Sequence, residues 1–140
     1  MLQPLTASLL VIVTAATLAN WRILFPGFQG KNTGTVTAIV DGDTIKVDVG
    51  GRVETVRYIG INTPEKGQPG YRQAVEENRK LVGWKAVRLE TDKQKRDRYG
   101  RLLCYVWAGN RFVNRELVKR RVARVMKVEP NVKRIKEIER

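Results

Sequence analysis

The chain has 140 residues, and 27 Lys and Arg against 14 Asp and Glu give it a formal net charge of +13 at pH 7. It has no histidine and one cysteine, Cys104, which excludes imidazole catalysis, histidine zinc sites, intrachain disulfides and cysteine metal clusters. The length allows one domain of modest size, and the charge indicates a polyanionic partner, either nucleic acid or an anionic membrane surface.

The N-terminal segment is apolar. No charged side chain precedes Arg22, and residues 5–19 read LTASLLVIVTAATLA. So uniform a run is typical of a cleaved secretory signal or of a membrane anchor over residues 5–21, and less typical of a buried core helix. The missing positive charges before the run argue against a signal, and Arg22 and Lys31 after it favour an anchored domain on the cytoplasmic side. We expect residues 1–30 to be a signal or anchor with a linker, so that the protein is secreted or membrane-anchored, with the side of the membrane left open.

Residues 31–140 are expected to form the folded domain. Their periodicity predicts five strands: Gly34–Val40, Thr44–Val49, Val53–Ile61, Lys85–Thr91 and Arg101–Trp107. It predicts three helices: Tyr71–Val82 ended by Gly83, a second capped by Asn114 and running to about Arg121, and a third capped by Asn131 and running to the end of the chain. Five short strands, one helix after the third strand and helices at the end predict a small closed β-barrel with appended helices.

Three polar clusters interrupt these elements. The first acids of the chain are Asp41 and Asp43 around Gly42, which can both face one cation, although Asp-Gly is also a common hairpin turn. The second cluster, RYIGINTPE over residues 57–65, ends a strand in several oxygen-bearing side chains, as a capped surface loop also does. The third, KQKRDRYGR over residues 93–101, is a strongly basic loop that is typical of a phosphate-binding surface or of an ordinary solvated loop.

In this order and spacing, the clusters resemble the staphylococcal nuclease (thermonuclease) family. The matching segments are AIVDGDTIKV, VRYIGINTPE, DRYGRLLCYVW and RFVNRELVKRRVARV, and the similarity runs from about Gly34 to Val128. The resemblance implies a mainly β fold with helices, a five-stranded OB-fold barrel preceded here by the apolar N-terminal segment. It also implies calcium-dependent cleavage of phosphodiester bonds in DNA and RNA.

The resemblance also implies a metal site. Asp43 matches a metal-binding aspartate of the family, and Asp41 matches an aspartate that supports the site from just outside the ligands. Thr63 matches a position that provides its backbone carbonyl. Asn62 stands where well-known members carry a second aspartate, so we expect it to coordinate through its amide oxygen with one negative charge fewer.

Catalytic and substrate-binding residues follow from the same resemblance. Glu65 matches the general base, a role that a carboxylate can fill without histidine. Arg57 and Arg101 match the two catalytic arginines, whose paired donors suit phosphate oxygens. Substrate contacts are expected from Tyr99 near the phosphate, its neighbour Arg98, and Lys127, which replaces a family tyrosine.

The sequence therefore predicts a monomeric, calcium-dependent nuclease without sequence preference. Two other functions stay open: a non-catalytic OB-type module that binds nucleic acid, and a basic protein of the membrane surface. The chain has two acids, Asp43 and Glu65, as well as the two arginines, Arg57 and Arg101. This combination favours the nuclease, because a pure binding module has no need for acids beside a phosphate.

Overall fold

The structure is a computed structural model that describes residues 32–140. The predicted signal or anchor lies outside the described residues, so its nature and the domain boundary stay predictions. Within the described part, no helix combines the length and apolarity that crossing a bilayer requires.

Residues 32–140 form eight strands and three helices. The strands are β1 (Thr33–Asp41), β2 (Thr44–Val49), β3 (Arg52–Tyr58), β4 (Ile61–Asn62), β5 (Ala86–Glu90), β6 (Leu102–Ala108), β7 (Arg111–Phe112) and β8 (Arg124–Val125). The helices are α1 (Tyr71–Val82), α2 (Val113–Lys119) and α3 (Ile135–Glu139).

Five strands close into a barrel. The sheet order is β3-β2-β1-β5-β6-β7, and a parallel pairing between β3 and β6, from Val56–Leu102 to Tyr58–Cys104, joins its ends. The other neighbours in this sheet are antiparallel, and β7 adds a short hairpin to β6. The predicted fold, mainly β with a closed five-stranded OB-like barrel and appended helices, is confirmed.

The barrel interior is apolar, and α1 packs against its outside. In β5, buried Val87 and Leu89 alternate with more exposed neighbours, as the period of two requires, whereas residues 104–106 of β6 are all buried. Side chains with no exposed surface include Ile45, Val47, Val56, Val87, Cys104, Tyr105 and Val106. The predicted bounds of α1 are correct; its buried stripe is Ala74, Asn78, Leu81 and Val82, and Gly83 follows its last residue.

The third strand is shorter than predicted. β3 ends at Tyr58 instead of Ile61, because Gly60 has a φ of +80°, a left-handed conformation that turns the chain out of the barrel. A Cβ on Gly60 would also lie 2.7 Å from Cδ1 of Ile138 in α3. The residues after this turn form β4, which pairs with β8 in a separate two-stranded sheet.

The two predicted asparagine caps are wrong. α2 follows Phe112 and α3 follows Arg134, and neither helix has a side-chain cap. Asn114 is fully buried instead; it donates to Ile59 O at 2.7 Å and accepts from Val106 N at 2.9 Å. Asn131 exchanges two hydrogen bonds of 2.8 Å with the backbone of Gln94. α2 also ends at Lys119 and α3 begins at Ile135, so both helices are shorter than predicted.

Asn114→Ala tests the buried connection between β6, α2 and the β3–β4 turn. The substitution leaves a buried N–H and a buried carbonyl without partners, so we expect the free energy of unfolding to fall by about 2–4 kcal/mol. Urea unfolding measures the change, with Asn110→Ala in the exposed β6–β7 turn as the matched control. A loss below about 0.5 kcal/mol, the size of an ordinary surface substitution, contradicts this role.

Candidate active site

Asp43 is a buried carboxylate in the turn between β1 and β2. Its Oδ1 accepts a hydrogen bond from Thr44 Oγ1, and its Oδ2 accepts from both the backbone N and Oγ1 of Thr63, each at 3.0 Å. Gly42 makes this approach possible, because a Cβ there would lie 2.8 Å from Thr63 Oγ1 and 2.6 Å from Cβ of Ala74. The residue after β4 therefore fixes the orientation of the carboxylate in the β1–β2 turn.

Arg57 brings a guanidinium against this carboxylate. Its Nη2 lies 3.4 Å from Asp43 Oδ2, and 12% of its side chain is exposed. Nη1 donates to the carbonyls of Tyr58 and Ile61 at 2.6 and 3.0 Å, and Nη2 donates to Asn62 Oδ1 at 3.2 Å. These contacts hold the guanidinium in one position at the open end of β3.

The other charged residues predicted for the site affect the pKa of Arg57. Burial lowers the pKa of its guanidinium and Asp43 acts in the opposite direction; weaker contributions come from Arg101, which lowers it, and Glu65, which raises it. An arginine stays protonated despite such a shift. The structure thus brings Asp43, Glu65 and Arg101 within electrostatic range of the buried Arg57 guanidinium.

Glu65 lies on an exposed loop after β4. Its backbone N donates to Gln68 Oε1 at 2.7 Å, and its carbonyl accepts from Gln68 N at 2.9 Å. The Glu65 carboxylate itself has no hydrogen bond or ion pair with any residue in 32–140. The loop is therefore braced while the carboxylate stays available to solvent or a ligand.

Arg101 is held at the start of β6 by Asp97. Arg101 Nε donates to Asp97 Oδ2 at 2.7 Å, and the backbone N of Arg101 donates to Asp97 Oδ1 at 3.0 Å. Burial opposes the ionisation of Asp97, yet the hydrogen bonds from Arg101 bring its pKa below the usual value. Asp97 binds Nε, and the two Nη groups of Arg101 have no hydrogen-bond or ion-pair partner in the described part of the chain.

Tyr99 stands between two arginines on the exposed β5–β6 loop. The Cζ atoms of Arg98 and Arg101 lie 4.8 and 5.4 Å from the centre of its ring, and Arg98 Nη2 donates to the Tyr99 hydroxyl at 2.6 Å. The ring is 68% exposed. This loop gathers three of the predicted substrate and catalytic residues on one surface.

A cavity of about 220 Å³, the arginine cavity, joins this loop to β3. It is lined by both Arg57 and Arg101, and by Met126, Val128 and Glu129 from the segment after β8. Lys127 does not line the cavity; it is exposed, and its Nζ lies 3.6 Å from Glu129 Oε1. Its predicted contact with substrate therefore stays a prediction.

Sequence reasoning missed two residues that hold Asp41. The Tyr71 hydroxyl donates to Asp41 Oδ1 at 3.0 Å, which raises the pKa of the Tyr71 hydroxyl. Asn78 donates to the carbonyl of Asp41 at 2.9 Å and accepts from the Tyr58 hydroxyl at 2.7 Å. The position of Asn78 within the apolar stripe of α1 indicates in the sequence that this side chain has a buried hydrogen-bond partner, because buried polar groups are nearly always hydrogen-bonded.

The donor chemistry of these segments fits a hard divalent cation. All of the candidate ligand atoms are oxygens, which calcium prefers: the Asp43 carboxylate, the Asn62 amide and the Thr63 carbonyl, with Asp41 just outside the ligands. Three hydrogen bonds occupy the Asp43 carboxylate, which has about four acceptor positions, so one is left. Residues 32–140 form no group of three Asp, Glu, His or Cys side chains suited to a metal, so neutral oxygens would have to complete the set.

Comparison with known proteins decides the family. A sequence model described as Staphylococcal nuclease homologue matches residues 55–140. The thermonuclease of Staphylococcus hyicus is 33% identical over 99% of this chain and 90% of that protein. The chain belongs to the staphylococcal nuclease family. In Bacillus subtilis (strain 168), the SPbeta prophage-derived endonuclease YokF is 43% identical over 76% of this chain, and endonuclease YncB is 42% identical over 72%.

The predicted resemblance to the staphylococcal nuclease family is thus confirmed. The chain spans 38% of the length of YokF and 52% of the length of YncB, so these two family members are considerably longer.

Asp97→Asn tests the electrostatic support of Arg101. The pKa of Asp97 is lowered in the folded state, so its ionised form stabilises the fold above the ordinary aspartate pKa of about 4. We expect the variant to lose about 1–2 kcal/mol of unfolding free energy at pH 7, the size of one charge-assisted hydrogen bond. The difference from wild type should shrink as the pH falls below about 4, through the lowered pKa of Asp97.

Denaturant unfolding at several pH values measures this difference. Glu139→Gln is the matched control, because Glu139 is exposed and forms no ion pair within residues 32–140. A difference that is the same at pH 3 and pH 7 would rule out an electrostatic role for Asp97.

Proposed function

We propose that this chain is a calcium-dependent nuclease that hydrolyses phosphodiester bonds of DNA and RNA without sequence preference. The observation that carries the proposal is the buried Arg57 guanidinium, with Asp43, Glu65 and Arg101 within electrostatic range of it. Relatives named thermonuclease and endonuclease support the activity, and the net charge of +13 supports a polyanionic substrate.

The scissile phosphate is bound by Arg57 and Arg101 in this proposal. Guanidinium groups offer parallel donors to phosphate oxygens and stay charged. The Nη groups of Arg57 donate to two carbonyls and to Asn62, so Arg57 contributes a fixed positive charge. Asp97 binds only Nε of Arg101, so the Nη groups of Arg101 are in position to donate to the phosphate before the substrate arrives. Donors that need no rearrangement stabilise the extra charge of the pentacovalent transition state most effectively.

Glu65 accepts the proton of the attacking water. The chain has no histidine, and the Glu65 carboxylate forms no hydrogen bond or ion pair in the described part, which leaves it free for this role. The hydrogen bonds between Gln68 and the Glu65 backbone restrict the loop, so the base is exposed without being loosely placed.

Asp43, the Asn62 amide and the Thr63 carbonyl are the residues that would hold the metal, and Asp41 would support them from just outside the ligands. Bound calcium would supply positive charge beside a phosphate oxygen and make a neighbouring water more acidic. Tyr71 and Asn78 keep Asp41 in place, and Oδ2 of Asp41 is left without a hydrogen bond among residues 32–140. Tyr99, Arg98 and Lys127 are the proposed contacts to the rest of the substrate.

The N-terminal segment belongs to the proposal as well. We propose that residues 5–21 direct export or anchor the nuclease domain in a membrane, and that the domain acts as a monomer. N-terminal sequencing of the mature protein separates a cleaved signal from an anchor, and sedimentation measures the oligomeric state.

Glu65→Gln tests the catalytic proposal. We expect kcat on DNA and RNA to fall by about 10²–10⁴, the usual contribution of a general base. The melting temperature should stay unchanged, because the carboxylate forms no hydrogen bond or ion pair within residues 32–140. The assay compares calcium, magnesium and chelator, on single- and double-stranded substrates, and chelator should abolish the wild-type activity.

Glu139→Gln, which removes an exposed carboxylate elsewhere, should cleave like wild type. Binding of nucleic acid by the wild type without cleavage in any metal would instead identify a non-catalytic binding module. Wild-type cleavage that Glu65→Gln leaves intact would remove Glu65 from the mechanism.

Asn62→Asp tests the proposed metal site. Adding a carboxylate to the donor set should tighten calcium binding by about tenfold, since calcium affinity rises with the number of charged ligands. Isothermal titration calorimetry without substrate measures the change, and Asn110→Asp provides the control for an added charge in an exposed turn. Equal affinities for wild type and Asn62→Asp would mean that residue 62 does not face the ion.

A further inference from the structure

A second opening, of about 420 Å³, lies beside the β4–β8 pair. This β4–β8 cleft is lined on one wall by residues 62–64, Gln68 and Pro69, and on the other by residues 121–124. Asn62 of β4 and Arg124 of β8 are paired across the two strands, so the two walls meet at this pair. One wall of the cleft is thus the loop that carries Glu65, and no acidic side chain lines it.

Arg121 and Arg124 are the charged residues of this cleft. Both are exposed, and neither guanidinium has an ion pair or hydrogen bond with any residue in 32–140. Arg120, one position earlier, behaves differently: its Nη1 donates to Glu77 Oε2 at 2.7 Å and joins α2 to α1. Within this basic run, residues 119–121, Arg120 therefore connects two helices, whereas the charge of Arg121 is available to a ligand.

The backbone of Arg121 is strained. Its φ is +60°, and among residues 32–140 only Trp84, at +57°, is another non-glycine residue with positive φ. The left-handed conformation is unfavourable for a residue with a Cβ, and glycine adopts it without cost. The conformation ends α2: Arg121 follows the C-cap Arg120, and its backbone N donates to Val118 O at 2.9 Å, as is common at helix ends. It leaves the Arg121 side chain on the wall of the cleft, without an ion pair or hydrogen bond among residues 32–140.

We infer that the β4–β8 cleft binds the phosphodiester backbone of a nucleic-acid strand beyond the scissile phosphate, with Arg121 and Arg124 as its phosphate contacts. The inference rests on the proposed nucleic-acid substrate and adds a binding site for it. A volume of about 420 Å³ falls within the range of about 300–1,000 Å³ that is usual for ligand sites. Asn62 and Thr63 line the cleft and also belong to the proposed metal site, so a strand bound in the cleft lies beside the candidate active site.

Arg121→Gly gives a sharp test, because it removes the charge and relieves the strain at once. Binding of a fluorescent single-stranded oligonucleotide to the full chain is measured in chelator, which suppresses cleavage, over a series of salt concentrations. We expect affinity to fall about two- to fivefold, the size of one exposed ion pair. The slope of log affinity against log salt should become shallower by about 0.7.

The melting temperature separates this role from a structural one. Glycine relieves the left-handed strain but adds freedom to the unfolded chain, so the melting temperature should stay constant or rise by up to about 5 °C.

The double variant Arg121→Gly with Arg124→Gln should make the salt slope shallower by about 1.4, which corresponds to the loss of two phosphate contacts on a single strand.

Two control variants separate the two effects of Arg121→Gly, which are the relief of backbone strain and the loss of a positive charge. Trp84→Gly relieves the other strained position, outside the cleft, and should leave the salt slope unchanged. Arg111→Gln removes an exposed charge on the β6–β7 hairpin and should change the slope by less than half as much as Arg121→Gly.

The outcomes separate this inference from the proposed function. Equal slopes for Arg121→Gly and Arg111→Gln, or a wild type that does not bind the oligonucleotide, overturn the binding site in the cleft. A wild type that binds through Arg121 but does not cleave in any metal overturns the nuclease and leaves the binding site standing.

Discussion

The buried contact between Asp43 and Arg57 is the constraint on which the candidate site depends. It joins the turn after β1 to the end of β3, and Thr63 from the far side of β4 binds the same carboxylate. Removing one member of a buried ion pair leaves an uncompensated charge, which is far more costly than losing an exposed pair. Three segments distant in sequence are therefore held at one point by electrostatics as well as by packing.

Around this fixed centre, the charged residues divide into bound and available groups. Arg57 is bound by carbonyls, Arg101 is held along one edge by Asp97, and Arg120 is used between helices. Glu65 and Arg121 are exposed and have no side-chain partner in the described chain. Such a division suits catalysis on a large anion, because rigid cations stabilise charge while exposed groups receive water and the flanking strand.

Local features of the chain were predictable. The five barrel strands and α1 were predicted close to their observed positions, because alternation and helical spacing depend on neighbours within a few residues. The polar clusters around Asp43, Asn62 and Arg101 were also visible in the sequence. Their roles came only from family resemblance, since residue spacing does not state what a carboxylate or a guanidinium contacts.

The sequence by itself determined the barrel class, the absence of imidazole chemistry, the basic character and the order of the polar clusters. Only the tertiary structure decided which asparagines are buried connectors, where β3 breaks, how Tyr71 and Asn78 hold Asp41, and which arginine of a basic run is free. The physical reason is the distance along the chain over which each kind of interaction acts. Periodicity records which face of an element is buried, whereas a polar side chain finds its partner on whichever distant segment the closed barrel brings beside it.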